Sequence, residues 1–453
     1  MLIRFICENF LSFGNEKDGF EFLNTAASKT KSLPDHVVKI SPNISVLRGA
    51  VVYGANASGK TNFIKAITYA KNIIESRNKG IEEHNLTSHQ NKFCKSDKSK
   101  FVFEFKLEKS IYEYGFEITS KEVVAEWLYS SNLNGKRAKT LFKREKGEIT
   151  NDKEISAIVN KAKNENSFFE KYSRKAVKKN ELLLHRLSND DIKFAQDLIS
   201  WFGTIAIVRG VNHSVYFKEK ELSKFAKTIL KKIDWQIEDV SFEKETVIKK
   251  PSEISGGVPN EFAEVVFNHL LARFKESKKA VSMQIAGSNG KKIYLTVDGE
   301  GVKQIEILII RNGKEFTLEQ ESDGIRRVFD LIPMLFSANS KNSEKLNPQS
   351  IFIIDEIEKS LHPHIARELI SMFFGLGTSS ENQLIFTTHD TNILDLSLLR
   401  KDEIWFAEKD KNLNTHLTSL AEFKDVREDL VISKGYLQGR FGAIPFINNW
   451  ISE

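Results

Sequence analysis

The chain has 453 residues, 40% of them hydrophobic and 28% charged, with a net charge of +6. That bounds it to two or three domain-sized units at roughly 150 residues each; a mild basic excess permits a nucleic-acid partner without demanding one. Two cysteines (Cys7 and Cys94, neither in a CxxC pair) exclude a disulfide framework, no apolar run reaches the roughly 18 residues of a membrane span, and the opening MLIRFICENF lacks the apolar centre of a secretory leader, so a cytoplasmic location with no membrane contact is expected.

In chain order, residues 1–10 read as a strand, with Leu2, Ile3, Phe5 and Ile6 apolar and no helical spacing. Residues 44–53, ISVLRGAVVY, are the largely apolar run of a strand buried on both faces. The loop GANASGKT follows, and then a helix whose one face carries Phe63, Ile67, Ala70 and Ile74. Residues 101–118 alternate as a β-hairpin that turns at Glu108–Ser110, and 140–149 add a further short strand. From 151 to 235 alternation gives way to helix formers and lysines, with no sustained heptads, which predicts a helical insertion and no long coiled coil. Strand character returns at 236–247 and 291–310, and FTLEQESDGIRRVFDLI passes from strand to helix at Gly324. IFIIDE, QLIFTTHD and EIWFAEK close the series as three apolar strands.

Three of these strands end in chemistry. In GANASGKTN the glycines Gly54 and Gly59 let backbone N–H groups turn around a phosphate, with Asn56, Ser58 and Asn62 in the same loop and helix start. Lys60 neutralises β/γ charge, and Thr61 offers a hydroxyl to Mg²⁺. Strand before and helix after is the context such a loop needs, so nucleotide binding is expected. IFIIDE buries an apolar run and then presents Asp355 and Glu356; acids there are costly without cations to meet. Asp355 is the candidate second Mg²⁺ ligand and Glu356 the candidate general base. His389 ends the next strand and can hydrogen-bond a γ-phosphate or the attacking water. A lone histidine at a strand end is usually structural; the order of the three motifs favours a functional one. Ser322 and Gly324 begin a helix, where backbone donors and the helix dipole can meet an anion. Taken alone, Ser322 or Asp323 is an ordinary N-cap.

Together FICENFLSFG, GANASGKTN, ESDGIRR, IIDEIEKSLHP, TTHD, IWFAEKD and YLQGRFGAIP resemble the ABC-type ATPase heads of the SMC/RecF/OLD kind, and more narrowly the RloA-like, abortive-infection-associated AAA ATPases of bacteria. The resemblance spans nearly the whole chain in order, with 151–300 matching only in general character. It implies an α/β fold: a P-loop NTPase core plus an antiparallel β lobe. Residues 1–150 would form the N-terminal lobe, 151–235 the insertion, and 236–453 the C-terminal lobe with signature, Asp-Glu strand and histidine switch. It also implies ATP and Mg²⁺ as cofactors, and a head-to-tail dimer or larger assembly. In that dimer Ser322 and Gly324 of one copy meet the γ-phosphate held by another. Two features depart from the family pattern: Leu11 stands where many relatives carry a basic residue, and Leu361-His362-Pro363 replaces the aspartate loop of transporters. Only about 60 residues follow His389, too few for the C-terminal Toprim nuclease domain of OLD-type proteins.

The expected function is therefore an ATP-hydrolysing sensor or clamp in anti-phage defence that controls a separate effector, a nuclease or toxin. A RecF-like DNA-binding ATPase of repair stays open, because Lys136, Arg137, Lys139, Lys143, Arg144 and Lys146, with Lys161, Lys163, Lys171, Arg174, Lys175, Lys178 and Lys179, could track phosphates; such runs are more often solvated faces. So does a nucleotide-dependent scaffold with little turnover.

Overall fold

The structure is a computed structural model that describes residues 1–15, 32–42, 44–133, 138–150, 153–163, 172, 177–208, 220–278, 281–288, 292–339, 350–376, 380–424, 426 and 431–443. The fold is mixed α/β. It divides into two compact units, one of residues 1–207, 337–357 and 367–453, the other of 208–336 and 358–366.

The first unit holds two six-stranded sheets. One is antiparallel and starts from Leu2–Glu8, which pairs with Ser99–Leu107; Ser110–Ile118, Val123–Asn132, Lys139–Glu145 and Glu148–Thr150 follow in order. The alternation of 101–118 appears as expected: Phe101, Phe103 and Phe105 are fully buried and sit opposite Phe116, Tyr114 and Tyr112. The hairpin turns tightly, with Leu107 paired to Ser110. The single short strand expected at 140–149 is two strands, 139–145 and 148–150, because Gly147 takes a left-handed φ of 84° and turns the chain back.

The other sheet runs Ile205–Val208, Ile351–Ile354, Gln383–Thr388, Gly49–Tyr53, Ile404–Lys409, Thr415–Ser419. The four strands from Ile351–Ile354 to Ile404–Lys409 are mutually parallel, and Thr415–Ser419 closes the edge antiparallel. Every residue of GAVVY, IFII and QLIFTT is buried, as a parallel sheet covered on both faces requires. The run 44–53 is broken at Arg48: Ile44–Leu47 pairs with Val37–Ser41, and only Gly49–Tyr53 enters the parallel sheet. The helix Lys60–Glu75 packs Phe63, Ile67, Ala70 and Ile74 into one apolar cluster with the hairpin phenylalanines and with Leu183, Leu187, Leu198 and Phe202 of the helices Leu183–Asn189 and Lys193–Phe202.

The second unit is built on an antiparallel sheet in the order Asp239–Ile248, Gly301–Arg311, Lys292–Asp298, Val281–Ala286, with Lys314–Thr317 also paired to Gly301–Arg311. The helix Asn260–Ser277 lays Ala263, Val266 and Leu270 on that sheet against Ile285, Ile293, Leu295 and Val302. At 18 residues it is the longest helix among the described residues. None of the described helices is long and apolar enough to cross a membrane.

Candidate functional site

The parallel strands bring their C-terminal ends to one edge of the sheet, where ligands of open α/β sheets bind. Register fixes the neighbours. Thr388 is opposite Tyr53, and Ile354 is opposite Phe386. Gly54 and His389, each one residue further, therefore leave adjacent strands, and Asp355 leaves the strand beyond, about 10 Å across at two strand spacings.

The loop after Tyr53 is shaped by what surrounds it. A side chain at Gly54 would lie 2.6 Å from the Ala407 carbonyl oxygen, and one at Gly59 would lie 2.1 Å from Thr415 Oγ1. Gly59 also has a φ of 111°, so both glycines are required, one by close approach and one by approach and conformation. The Ala443 carbonyl accepts the Ala55 N–H at 2.9 Å, so part of the YLQGRFGAIP motif rests on the loop. Lys60 is buried and folds back over the loop, its ammonium donating to the Gly54 and Ala55 carbonyls at 2.7 and 2.9 Å. No side chain caps the helix that Lys60 begins. Its first backbone N–H groups are therefore available to an anion, with the helix dipole in support. Asn56 is exposed; Ser58 is buried beneath the loop; Thr61 and Asn62 are half-buried in the first turn.

Asp355 and Glu356 are joined by Thr387, which stands on the neighbouring strand. Thr387 Oγ1 donates to Asp355 Oδ1 at 2.6 Å and accepts the Glu356 N–H at 2.9 Å, and the Thr387 carbonyl accepts the Ile357 N–H at 3.1 Å. Glu356 has a left-handed φ of 49°, a conformation that non-glycine residues adopt at a cost and that such anchoring sustains. His389 is exposed just past the end of the same strand. On its other side, the Tyr53 hydroxyl donates to the Asp390 carbonyl at 3.2 Å, tying the phosphate-loop strand to the segment that carries His389.

Gly54, Asn56, Ser58, Gly59, Lys60, Thr61, Asn62, Asp355, Glu356 and His389 thus belong to one unit, and Ser322 and Gly324 to the other. Ser322 is exposed and caps the helix Asp323–Ala338, its hydroxyl accepting the Ile325 N–H at 3.3 Å. Glu321, just before it, is gripped by Arg311 through two hydrogen bonds of 2.8 and 2.9 Å. A side chain at Gly324 would come within 3.0 Å of the Ser360 carbonyl.

Sequence reasoning passed over Thr387, Tyr53 and Thr415. Thr387 lay inside TTHD, where only the histidine drew notice. Thr415 carries no local signal at all. Of the basic runs, Lys136, Arg137, Lys171, Arg174 and Lys175 lie outside the described residues. Arg144 is no surface charge: it is buried beside Glu126 at 3.6 Å and donates to the Glu181 and Lys178 carbonyls. Lys139, Lys143 and Lys179 each lie within 4.0 Å of an acid, Glu154, Glu145 and Glu122.

A family model described as "AAA domain, putative AbiEii toxin, Type IV TA system" matches residues 50–395, a span that contains the candidate site residues from Gly54 to His389 but not Thr415 or Ala443. No curated relative matches the chain. Solved structures similar to it include an SMC head bound to the C-terminal winged-helix domain of ScpA, 13% identical over 93% of this chain and 99% of that one, with a TM-score of 0.39. Another is the SMC head domain from Thermotoga maritima, 12% identical over 92% of this chain and 98% of that one, with a TM-score of 0.38.

Proposed function

The chain belongs to this AAA-domain family, and we propose that it binds and hydrolyses ATP as an ABC-type ATPase, serving as the sensor or clamp of an anti-phage, abortive-infection system whose effector is a separate nuclease or toxin. One observation carries the catalytic part. Three adjacent parallel strands end in a phosphate loop, an Asp-Glu pair and a histidine, and Thr387 links the acids to the histidine strand. The defence role rests on the resemblance of the motifs to abortive-infection-associated ATPases; the family's description, which names an AbiEii toxin of a type IV TA system, supports a place in a toxin–antitoxin pair.

In this reading the backbone N–H groups of residues 59–62 and the Lys60 ammonium take the β- and γ-phosphates, the ammonium giving up its hold on the loop carbonyls to do so. Thr61 and Asp355 would hold Mg²⁺, which shares the phosphate charge; a hard cation of this kind takes one or two protein oxygens and fills its shell from phosphate and water. Glu356 draws a proton from the attacking water, and His389 donates to the γ-phosphate. Ser322 uses its lone pairs in the cap, which leaves its hydroxyl proton free to donate. Exposed beside the half-buried Gly324 at a helix N-terminus, it suits the γ-phosphate of a second copy, so ATP would close a head-to-tail dimer and hydrolysis would open it.

Glu356→Gln tests this. The change keeps the backbone contact to Thr387 and removes the base. Expected are a fall in phosphate release of roughly 10²–10⁴-fold, ATP affinity near that of the wild type, and an ATP-dependent dimer by light scattering. Unchanged turnover would show that Glu356 is not the base; a variant that binds ATP yet stays monomeric would remove the composite site.

A further inference from the structure

The opening motif and the edge strand Thr415–Ser419 meet beneath the phosphate loop. Residues 9–14 form a tight turn in which the Asn9 N–H reaches the Gly14 carbonyl at 2.9 Å and Asn9 and Leu11 take φ values of 52° and 51°. The turn is pinned from outside by the Asn9 amide on the Ser96 and Lys98 carbonyls, at 2.7 and 2.8 Å. It delivers Ser12, whose carbonyl accepts the Thr415 N–H at 2.7 Å. Ser12 Oγ lies 2.9 Å from Asn62 Nδ2 and 2.7 Å from Thr415 Oγ1, and Thr415 Oγ1 lies 2.8 Å from the Ser58 carbonyl oxygen. Ser12, Ser58 and Thr415 are all buried.

The protons in this chain can be placed by elimination. A carbonyl oxygen only accepts, so Thr415 must spend its single hydroxyl proton on Ser58. Thr415 Oγ1 then accepts from the Ser12 hydroxyl, and Ser12 accepts from the Asn62 amide. The chain runs one way, from Asn62 through Ser12 and Thr415 to the Ser58 carbonyl, and each bond polarises the next. Its end point matters. The peptide between Ser58 and Gly59 is planar and trans, so its C=O and N–H point in opposite directions. Fixing the Ser58 carbonyl on Thr415 aims the Gly59 N–H away from Thr415. Gly59 has no Cβ and packs directly on the threonine.

We infer that Ser12 and Thr415 are positioning residues of the phosphate loop: their hydroxyls lock the Ser58–Gly59 peptide so that its N–H faces bound phosphate. This gives the opening motif a role in a chain whose Leu11 carries no charge to contact nucleotide. The inference rests on the ATPase reading. It differs from it in what it claims of Thr415, which is assigned a bond to the loop and no direct role toward substrate or metal.

Thr415→Val keeps the shape and removes the hydroxyl, stranding the Ser58 carbonyl. The expected result is a rise of about 10-fold in the Kd and KM for ATP, with kcat at saturating ATP within about twofold, since the acids and the histidine are untouched. Thr415→Ser should restore affinity. Ser12→Ala should weaken ATP to a similar extent, and the double variant should add little to either single change. If Thr415→Val lowers the melting temperature of the free protein but binds ATP as the wild type does, the pair is merely structural and the inference is wrong. If the wild type binds no ATP, the ATPase reading falls and this inference falls with it.

Discussion

Thr387→Val is the sharpest test of how the acid pair is held. The variant keeps shape and β-branching at a position that is 1% exposed, so the strand should still form. It removes the donor to Asp355 Oδ1 at 2.6 Å and the acceptor of the Glu356 N–H at 2.9 Å. A hydrogen bond to a charged group is worth about 1.5–3 kcal/mol and a neutral one about 1 kcal/mol. Asp355 and Glu356 are only half-buried, so water replaces part of what is lost, leaving about 2 kcal/mol. If that energy serves to hold the acids in their reactive geometry, kcat falls roughly 30-fold at 1.4 kcal/mol per decade. The phosphate loop is on the neighbouring strand, so ATP affinity without metal should stay within twofold while the Mg²⁺ needed for half-maximal rate rises. Phosphate release under saturating ATP, with a Mg²⁺ titration, reads both effects; Thr387→Ser should recover most of the rate. A folded Thr387→Val protein with kcat within twofold of the wild type would refute the reasoning.

Two further predictions concern the frame around the site. His185 is buried with Nε2 donating to the Ile74 carbonyl at 2.9 Å, and burial holds its pKa down at about 4. Below pH 6.5 the unfolded chain takes up a proton that the folded chain refuses, so this stability is complete above that pH and drains away as pH falls toward 4. Between pH 7 and 5 the loss is about 2 kcal/mol, and His185→Gln should flatten the pH dependence of urea unfolding by that amount; an unaltered slope would mean the imidazole is not the source. Arg48 is buried at the other end of the Gly49–Tyr53 strand and donates to the Asp35, Phe374 and Asn382 carbonyls at 2.7, 3.2 and 3.3 Å. Burial lowers its pKa to about 10, which still leaves it charged at neutral pH. Arg48→Met should cost about 3 kcal/mol of stability by stranding those carbonyls with little change in ATP affinity; a loss under about 1 kcal/mol would show that water takes over.

The strands that carry the candidate site were legible because GAVVY, IFII and QLIFTT are apolar throughout and stop abruptly at polar residues. Strand order was not. Gln383–Thr388 lies between Ile351–Ile354 and Gly49–Tyr53, a pairing across more than 300 residues on one side that no local pattern encodes. The break at Arg48 left a trace, the one charge in ISVLRGAVVY, but that trace does not say that the guanidinium is buried rather than exposed. Thr415 was silent, and Ser12, though inside the opening motif, gave no sign of its role, for a different reason. A hydroxyl becomes meaningful through its partner, and these partners are 403 residues apart.

The central strand has a consequence for how hydrolysis could be signalled. Gln383–Thr388 is fastened on one flank to the acids, through the Thr387 side chain and carbonyl. On the other flank it pairs with the phosphate-loop strand, and the Tyr53 hydroxyl holds the chain just past His389. His389 sits between these two fastenings. In the proposed ATPase reading, a pull on its ring by a γ-phosphate would be resisted at Asp390 by Tyr53 and passed through Thr388 and Thr387 to the Glu356 amide. Glu356 already occupies a left-handed conformation that a small displacement of its anchor would relax. On the proposed assignment, loss of the γ-phosphate would release His389 and loosen Glu356 in the same movement, which would couple the end of the reaction to disengagement of the residues proposed to perform it.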